Sequence, residues 1–263
     1  MMDKTILLPA TMLMMRQEYS LTQLKIMVAM TTKLQRLLHQ QLNNLRSMDP
    51  ENLITDKDLL QSAGLWVEID GMELGRRRQG LRILEEPMQR MHQIPLAVPV
   101  MKEGRTELQV VNLPFTIVVK REKSGRRRLF IGMKPLLAGH LLTLRYGYFN
   151  ISPATVTCCR HRATLMMYMV CERWRKIGKV ELSIGTVRRL LDPTGKNKTF
   201  AVLRRDKLTP ARNELFKLYR QQKCSCYFDF KPNYEGSNMF GEPSSVLFSF
   251  HIIDDVSDKT AMQ

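Results

Sequence analysis

Hydrophobic and polar positions along the chain run through the same order twice. In SLTQLKIMVAMTTKLQRLLHQQLNNL, Leu21, Leu24, Val28, Thr31, Leu34, Leu38 and Leu42 recur at steps of three and four behind Ser20. That spacing predicts one long amphipathic helix with Ser20 as its N-cap. MDPEN breaks it. ITDKDLLQSAG predicts a short helix, capped by Thr55 or Asp56 and stopped at Gly64. MELGRRRQGLRILEEPM predicts a third, weakened by Gly75 and Gly80. Strand-like runs follow in IPLAVPV, TELQVVNLPFTIVVK and RRRLFIGM, with the charged turn REKSG joining the last two.

The second round opens with SPATVTCCRHRATLMMYMVCERWRKIG. It predicts one long helix entered through Ser152 and Pro153 and ended at Gly178. LSIGTVRRLLDP predicts a short helix capped by Ser183 and stopped at Asp192-Pro193, and DPTGKNK a turn. A third helix spans TFAVLRRDKLTPARNELFKLYRQ. CSCYFDFKP and SSVLFSFHII then predict two strands separated by the long loop NYEGSNMFGEP, which holds Phe240. In the last strand Val246, Phe248, Phe250 and Ile252 share one face.

Three helices and a hairpin, stated twice, form an internal repeat. The predicted class is α+β, as two tandem winged-helix domains. We place an N-terminal domain at 1–135, a C-terminal domain at 136–255 and a disordered tail at 256–263.

Charge adds a partner class. The 263 residues carry a formal net charge of +16. Residues 134–220 hold 18 Lys/Arg against 5 Asp/Glu, and residues 75–133 hold 13 against 5, while both ends of the chain are mildly acidic. The positive charge is interleaved with Leu, Val and Met, unlike that of a disordered basic tail. A surplus of this size points to a polyanion: nucleic acid or an anionic membrane surface. No run of about 18 apolar residues provides a transmembrane helix. The apolar start MMDKTILLPATMLMM lacks a small-residue cleavage site before Arg16, so a cytoplasmic protein is expected.

The third helix of the second round concentrates this charge. Phe200, Leu208, Ala211, Leu215 and Leu218 share one stripe of a helical wheel, suited to a core. Arg205 and Arg212 lie on its flank, and Lys207 belongs to the same basic run. Arg204 falls within the stripe's own angular range, either beyond the end of the core or snorkelling. Pro210 either starts a new helix behind Thr209 or kinks a continuous one. Lys196 and Lys198, in the preceding turn, stand where a helix N-terminus would meet a phosphate. A solvated helix face is the plainer reading of such a run. In the third helix of a winged-helix order, where a helix can enter the major groove, DNA contact is favoured. Lys196, Lys198, Arg204, Arg205, Lys207 and Arg212 are therefore the expected DNA-binding set. Arg76, Arg77, Arg78, Arg126, Arg127 and Arg128 are expected accessory contacts to the DNA backbone, which position a protein without reading sequence.

Several stretches resemble the initiators of iteron-plasmid replication. MLMMRQEYSLTQLKIMVAM is similar to that family's start. RATLMMYMVCERWRKIG, LSIGTVRRLLDP, FAVLRRDKLTPARNELF and VLFSFHI resemble, in order, its Tyr-containing helix with a basic Trp-bearing turn, the short helix after it, its Phe/basic-pair/Pro-Ala/Glu-Leu stretch and its final Phe-rich strand. The resemblance implies that the C-terminal domain binds directly repeated sites in duplex DNA through its third helix, with Arg204, Arg205 and Arg212 on it. It implies that the first domain mediates dimerisation, that monomers initiate replication while dimers repress, and that a host initiator ATPase and the replicative helicase are partners.

Enzymatic chemistry is not indicated. TGKNKT lacks the earlier glycine of a phosphate-binding loop. Cys158, Cys159 and His161 do not have four-ligand zinc spacing, and Cys224 and Cys226 alternate on a strand, so no metal or other cofactor is expected. No His-hydrophobe-His motif accompanies a tyrosine nucleophile, which argues against DNA nicking. The expected function is origin binding and strand opening without covalent chemistry. The rival readings are a dimeric winged-helix transcriptional repressor, with its own gene as one candidate target, and a basic RNA-binding protein; the latter has few aromatic residues for stacking, at 7%.

Overall fold

Ser20 caps the first long helix as its position predicts. Its Oγ accepts from the Gln23 N–H at 3.4 Å while Gln23 Oε1 accepts from the Ser20 N–H at 2.8 Å. That reciprocal pair is a capping box, satisfying two donors that a helix start leaves open. The structure is a computed structural model describing residues 5–10, 13, 19–42, 66–69, 86–87, 89–91, 96–102, 105–111, 115–121, 127–133, 141, 147–235 and 241–253. These form two compact units, Met1–Arg162 and Ala163–Gln263.

In the first unit, β1 (Ile6–Pro9) precedes helix α1 (Leu21–Leu42). The middle of α1 is buried on every side, including Gln23, Lys25, Thr31 and Thr32. Each of these polar side chains has a partner: Lys25 Nζ donates to the Thr157 carbonyl at 2.8 Å, and the two threonine hydroxyls donate one turn back, to Met27 and Val28. An amphipathic pattern thus understates burial here, because short internal hydrogen bonds let polar residues enter the core.

The remaining strands are β2 (Trp66–Ile69), β3 (Leu96–Lys102), β4 (Arg105–Val111), β5 (Phe115–Arg121), β6 (Arg127–Met133) and β7 (Tyr148–Ile151). The expected REKSG hairpin is present as the antiparallel pair β5–β6, with Arg121 opposite Arg127. The run TELQVVNLPFTIVVK is two strands, β4 and β5, with residues 112–114 between them outside the described residues. β3 pairs with β4, β7 pairs with β1, and β2 joins β6 in a sheet ordered β2-β6-β5. Both β7 and helix α2 (Pro153–Cys158) lie beyond residue 135 and belong to this first unit, β7 opposite β1 and α2 against α1. The expected helix over 54–64 and all but the end of that over 72–88 fall outside the described residues, as does the tail 256–263; residues 86–87 are helical.

The single helix expected from 152 to 178 is two. Ser152 caps α2, with Pro153 at its start, and Cys159 ends it in an extended conformation. Arg162 Nε then donates to the Tyr19 carbonyl at 2.8 Å. Thr155, Val156 and Thr157 are β-branched, a weak run for continuing a helix. Helix α3 (Arg162–Arg173) follows, with every residue from Ala163 to Glu172 buried.

The second unit continues with β8 (Lys179–Ser183), helix α4 (Ile184–Leu191), helix α5 (Phe200–Leu203), a π turn (Arg204–Leu208), helix α6 (Thr209–Arg220), β9 (Cys226–Asn233) and β10 (Ser245–Ile252). Gly178 enters β8 at φ +74°, a conformation that side chains disfavour. Ser183 caps α4 by accepting from the Thr186 N–H, and Asp192 ends it, both as expected. β9 and β10 pair from Cys226–Ile252 to Asn233–Ser245. Strand β8, which the sequence reading missed, completes a sheet ordered β8-β10-β9.

Val246 and Phe248 are fully buried and Phe250 nearly so, on one face of β10. Phe248 meets Phe228 edge-on at 5.8 Å. Helix, strand, two helices and two strands around a three-stranded sheet make the winged-helix plan. The first unit repeats its sheet order, with the early strand (β2 or β8) beside the last strand of the hairpin (β6 or β10).

Candidate nucleic-acid interface

The helix over 200–220 starts at Thr199, whose Oγ1 accepts from the Val202 N–H at 3.4 Å. Leu203, Arg204, Leu208 and Thr209 all keep right-handed helical dihedrals. The chain therefore runs helically through Pro210, neither restarting nor breaking. The π turn makes this possible. The Thr209 N–H reaches back five residues to the Arg204 carbonyl, and the ladder accommodates a residue with no N–H of its own.

The extra residue in that turn rotates residues 204–207 relative to the core stripe. Phe200, Leu203, Leu208, Ala211, Leu215 and Leu218 are buried, whereas Arg204 and Arg205 are exposed. A straight wheel places Arg204 on the apolar side because it omits this turn.

Arg204 and Arg205 line an open hollow between the start of this helix and the β9–β10 connection. Thr209 joins them from the helix, and Tyr234 and Glu242 face them from the connection. Arg205 holds Asp206 in a forked pair at 2.7 and 3.3 Å. This hydrogen bonding keeps the Asp206 carboxyl below its usual range. The Arg205 side chain is largely exposed and that of Asp206 partly so, and the pair orients the guanidinium without fixing it.

The turn before the helix is fixed by side chains outside the expected set. Asp192 Oδ2 accepts from the Asn197 N–H at 2.6 Å. Burial raises the Asp192 carboxyl, but hydrogen bonds from Asn197 and Lys196 outweigh it, and the net shift is downward. Arg188 donates to the Asn197 carbonyl and, at 3.1 Å, to that of Lys198. Arg188 Nη2 also donates to Glu242 Oε2 at 2.7 Å, while Glu242 Oε1 accepts from the Phe200 N–H at 2.6 Å. Lys196 and Lys198 are exposed on this braced turn. The Phe200 N–H, an open donor at the helix start that a phosphate would seek, is already taken by Glu242.

Arg212 sits elsewhere. Its Nε donates to Asp229 Oδ1 of β9 at 2.6 Å, and Asp229 Oδ2 meets His251 Nε2 at 2.9 Å. The His251 ring stacks on Tyr227 at 4.4 Å, and Tyr219 and Phe216 meet Tyr227 edge-on. Burial raises the Asp229 carboxyl, and the hydrogen bonds from Arg212 and His251 more than reverse it. Lys207 is half-buried and does not line the hollow.

Of the expected accessory contacts, Arg76, Arg77, Arg78 and Arg126 lie outside the described residues. Arg127 and Arg128 open β6, opposite Arg121 and Lys120. Phe240 also lies outside the described residues. The structure thus gathers Arg204 and Arg205 at one hollow, adds Tyr234, Thr209 and Glu242, and assigns Arg212 to the α6–β9 junction. Tyr234 and Glu242 carried no local signal: their place depends on β9 and β10 returning to the helix start.

Among the described residues, no group of three or more His, Cys, Asp or Glu side chains is placed to hold a metal ion. Likewise among them, no helix is long and apolar enough to cross a membrane. Cys159, Cys171, Cys224 and Cys226 are buried thiols, and Cys158 is half-buried.

No family model matches the sequence, and no curated protein matches it. Among solved structures, the chain is similar to one described as the crystal structure of Pi initiator protein in complex with iteron DNA. The TM-score is 0.58 at 11% identity, covering 96% of this chain and 99% of that chain. Over nearly its whole length, this chain has the fold of that initiator.

Proposed function

We propose that this protein is a plasmid replication initiator. On this reading its second winged helix binds directly repeated sites in duplex DNA at an origin and promotes strand opening without covalent chemistry. The first unit supplies dimerisation and accessory backbone contacts. A host initiator ATPase and the replicative helicase are the partners recruited to the opened origin. One observation carries the reading: two exposed arginines at the start of the long helix face the β9–β10 connection across an open hollow, in a fold like that of an initiator solved with iteron DNA. Arginine forks suit both guanine edges and phosphates, and the net charge of +16 supplies long-range attraction to a polyanion.

A footprint of the purified full chain on the DNA flanking its own gene tests this. Protection stepping through evenly spaced direct repeats is expected, with affinity falling steeply in salt as counterions are released. One protected inverted repeat would make the protein a dimeric repressor instead. Binding to duplex and structured RNA alike, with no protected site, would refute sequence-specific DNA recognition.

A further inference from the structure

We infer that Glu242 is a positioning residue, clipping the β9–β10 connection to the start of the DNA-binding helix. The inference rests on the DNA-binding reading of the hollow and adds a residue that holds the hollow's two walls together. Glu242 follows Gly241, which has φ +67°, in the connection. Its two carboxylate oxygens go to different elements: Oε1 accepts from the Phe200 N–H at 2.6 Å, and Oε2 accepts from Arg188 Nη2 at 2.7 Å. Arg188, on α4, also donates to the carbonyls of Asn197 and Lys198. Glu242 and Arg188 together therefore tie α4, the α4–α5 turn and the helix start to the β9–β10 connection.

The side chains of Arg188 and Glu242 are only 27% and 21% exposed, so solvent weakens this pair less than an ordinary surface bridge. Tyr234, at the other end of the connection, faces Arg204 and Arg205 across the hollow. The distance from helix to connection determines whether both can reach the same duplex at once. A carboxylate in a DNA-facing hollow otherwise works against binding. Its retention there is explained by what it holds in place, and the two effects have opposite signs.

The test is Glu242→Ala and Glu242→Gln in the full chain. Binding is measured on a duplex from the gene-flanking region and on a shuffled duplex of equal length, alongside thermal melting and chymotryptic cleavage after Tyr234. Removing a negative charge beside DNA tightens binding if electrostatics alone acts. Loss of the clip instead weakens both duplexes by the same factor, about tenfold for Ala, because contacts from the connection to the backbone carry no sequence information. Gln keeps an oxygen for the Phe200 N–H and should fall between Ala and wild type. Cleavage after Tyr234 should speed up in Glu242→Ala while the melting temperature holds.

Equal or tighter DNA binding with unchanged cleavage overturns the inference. So does a Gln variant indistinguishable from wild type, or a uniform loss of melting temperature and binding in both variants. If wild type protects no DNA site, the initiator reading fails by itself, and the cleavage comparison then decides whether Glu242 is a clip.

Discussion

Arg205 and Arg212 lie on the same flank of a helical wheel, yet they should behave oppositely when truncated. Arg205 is 74% exposed at the hollow, and its one described partner is its neighbour Asp206. Arg205→Ala should leave the melting temperature of the protein unchanged. On the cognate duplex it should weaken binding about 5- to 150-fold if the guanidinium reads a base. If it grips a phosphate, cognate and shuffled duplexes should weaken alike and the salt slope should drop by about one.

Arg212 pairs with Asp229 at 2.6 Å, with both side chains a little over 40% exposed. A half-exposed pair of this kind contributes about 0.5–1 kcal/mol, and Asp229 keeps His251 when the arginine is removed. Arg212→Ala should therefore lower the melting temperature by about 2–8 °C for a unit of roughly 100 residues. It should change DNA affinity less than about threefold. Fluorescence anisotropy on labelled duplexes, with circular-dichroism melts of the same samples, separates the two effects. If Arg212→Ala loses binding as strongly as Arg205→Ala at an unchanged melting temperature, the division of labour drawn from the structure is wrong.

Asp192 should shape the acid limb of stability. Its folded-state carboxyl lies below its usual range, so its contribution is present above its unfolded pKa of about 3.9 and is lost as pH falls through the lower folded value. Asp192→Asn should be the less stable protein at neutral pH, and melts from pH 7 to pH 2 should show the two curves converging below about pH 4. Phe248, fully buried against Phe228, should cost about 3–5 kcal/mol as Phe248→Ala in denaturant unfolding. Hydrogen bonding to Cys226 pushes the Cys224 thiol up, hydrogen bonding to Cys171 pushes the Cys226 thiol up against a smaller opposite effect of Cys224, and burial adds to both. Alkylation at pH 8 followed by peptide mapping should label Cys158 first and leave those two until the chain unfolds.

The chain's own sequence determined the helix starts that carry a capping side chain, though not that of α3, and the alternation of its last strand. Ser20 with Gln23, Ser152 with Pro153, Ser183 and Thr199 all cap helices, because an N-cap requires only a side-chain oxygen within three residues of an open N–H. The apolar stripe of the long helix and the buried face of β10 were equally legible, since periodicity records which side faces a core. Strand β8 was not: KVELS is too short and too charged to stand out, and it becomes a strand by pairing with β10. Tertiary structure alone decided the rotational phase of Arg204, because a π turn ahead of Pro210 adds a residue that no wheel anticipates. It also decided which arginines are exposed at the hollow. Asp229 reaches Arg212 from a strand that follows in sequence, and Glu242 reaches Arg188 from the connection between β9 and β10. Periodicity along one helix carries no information about acceptors that distant chain segments bring back to it.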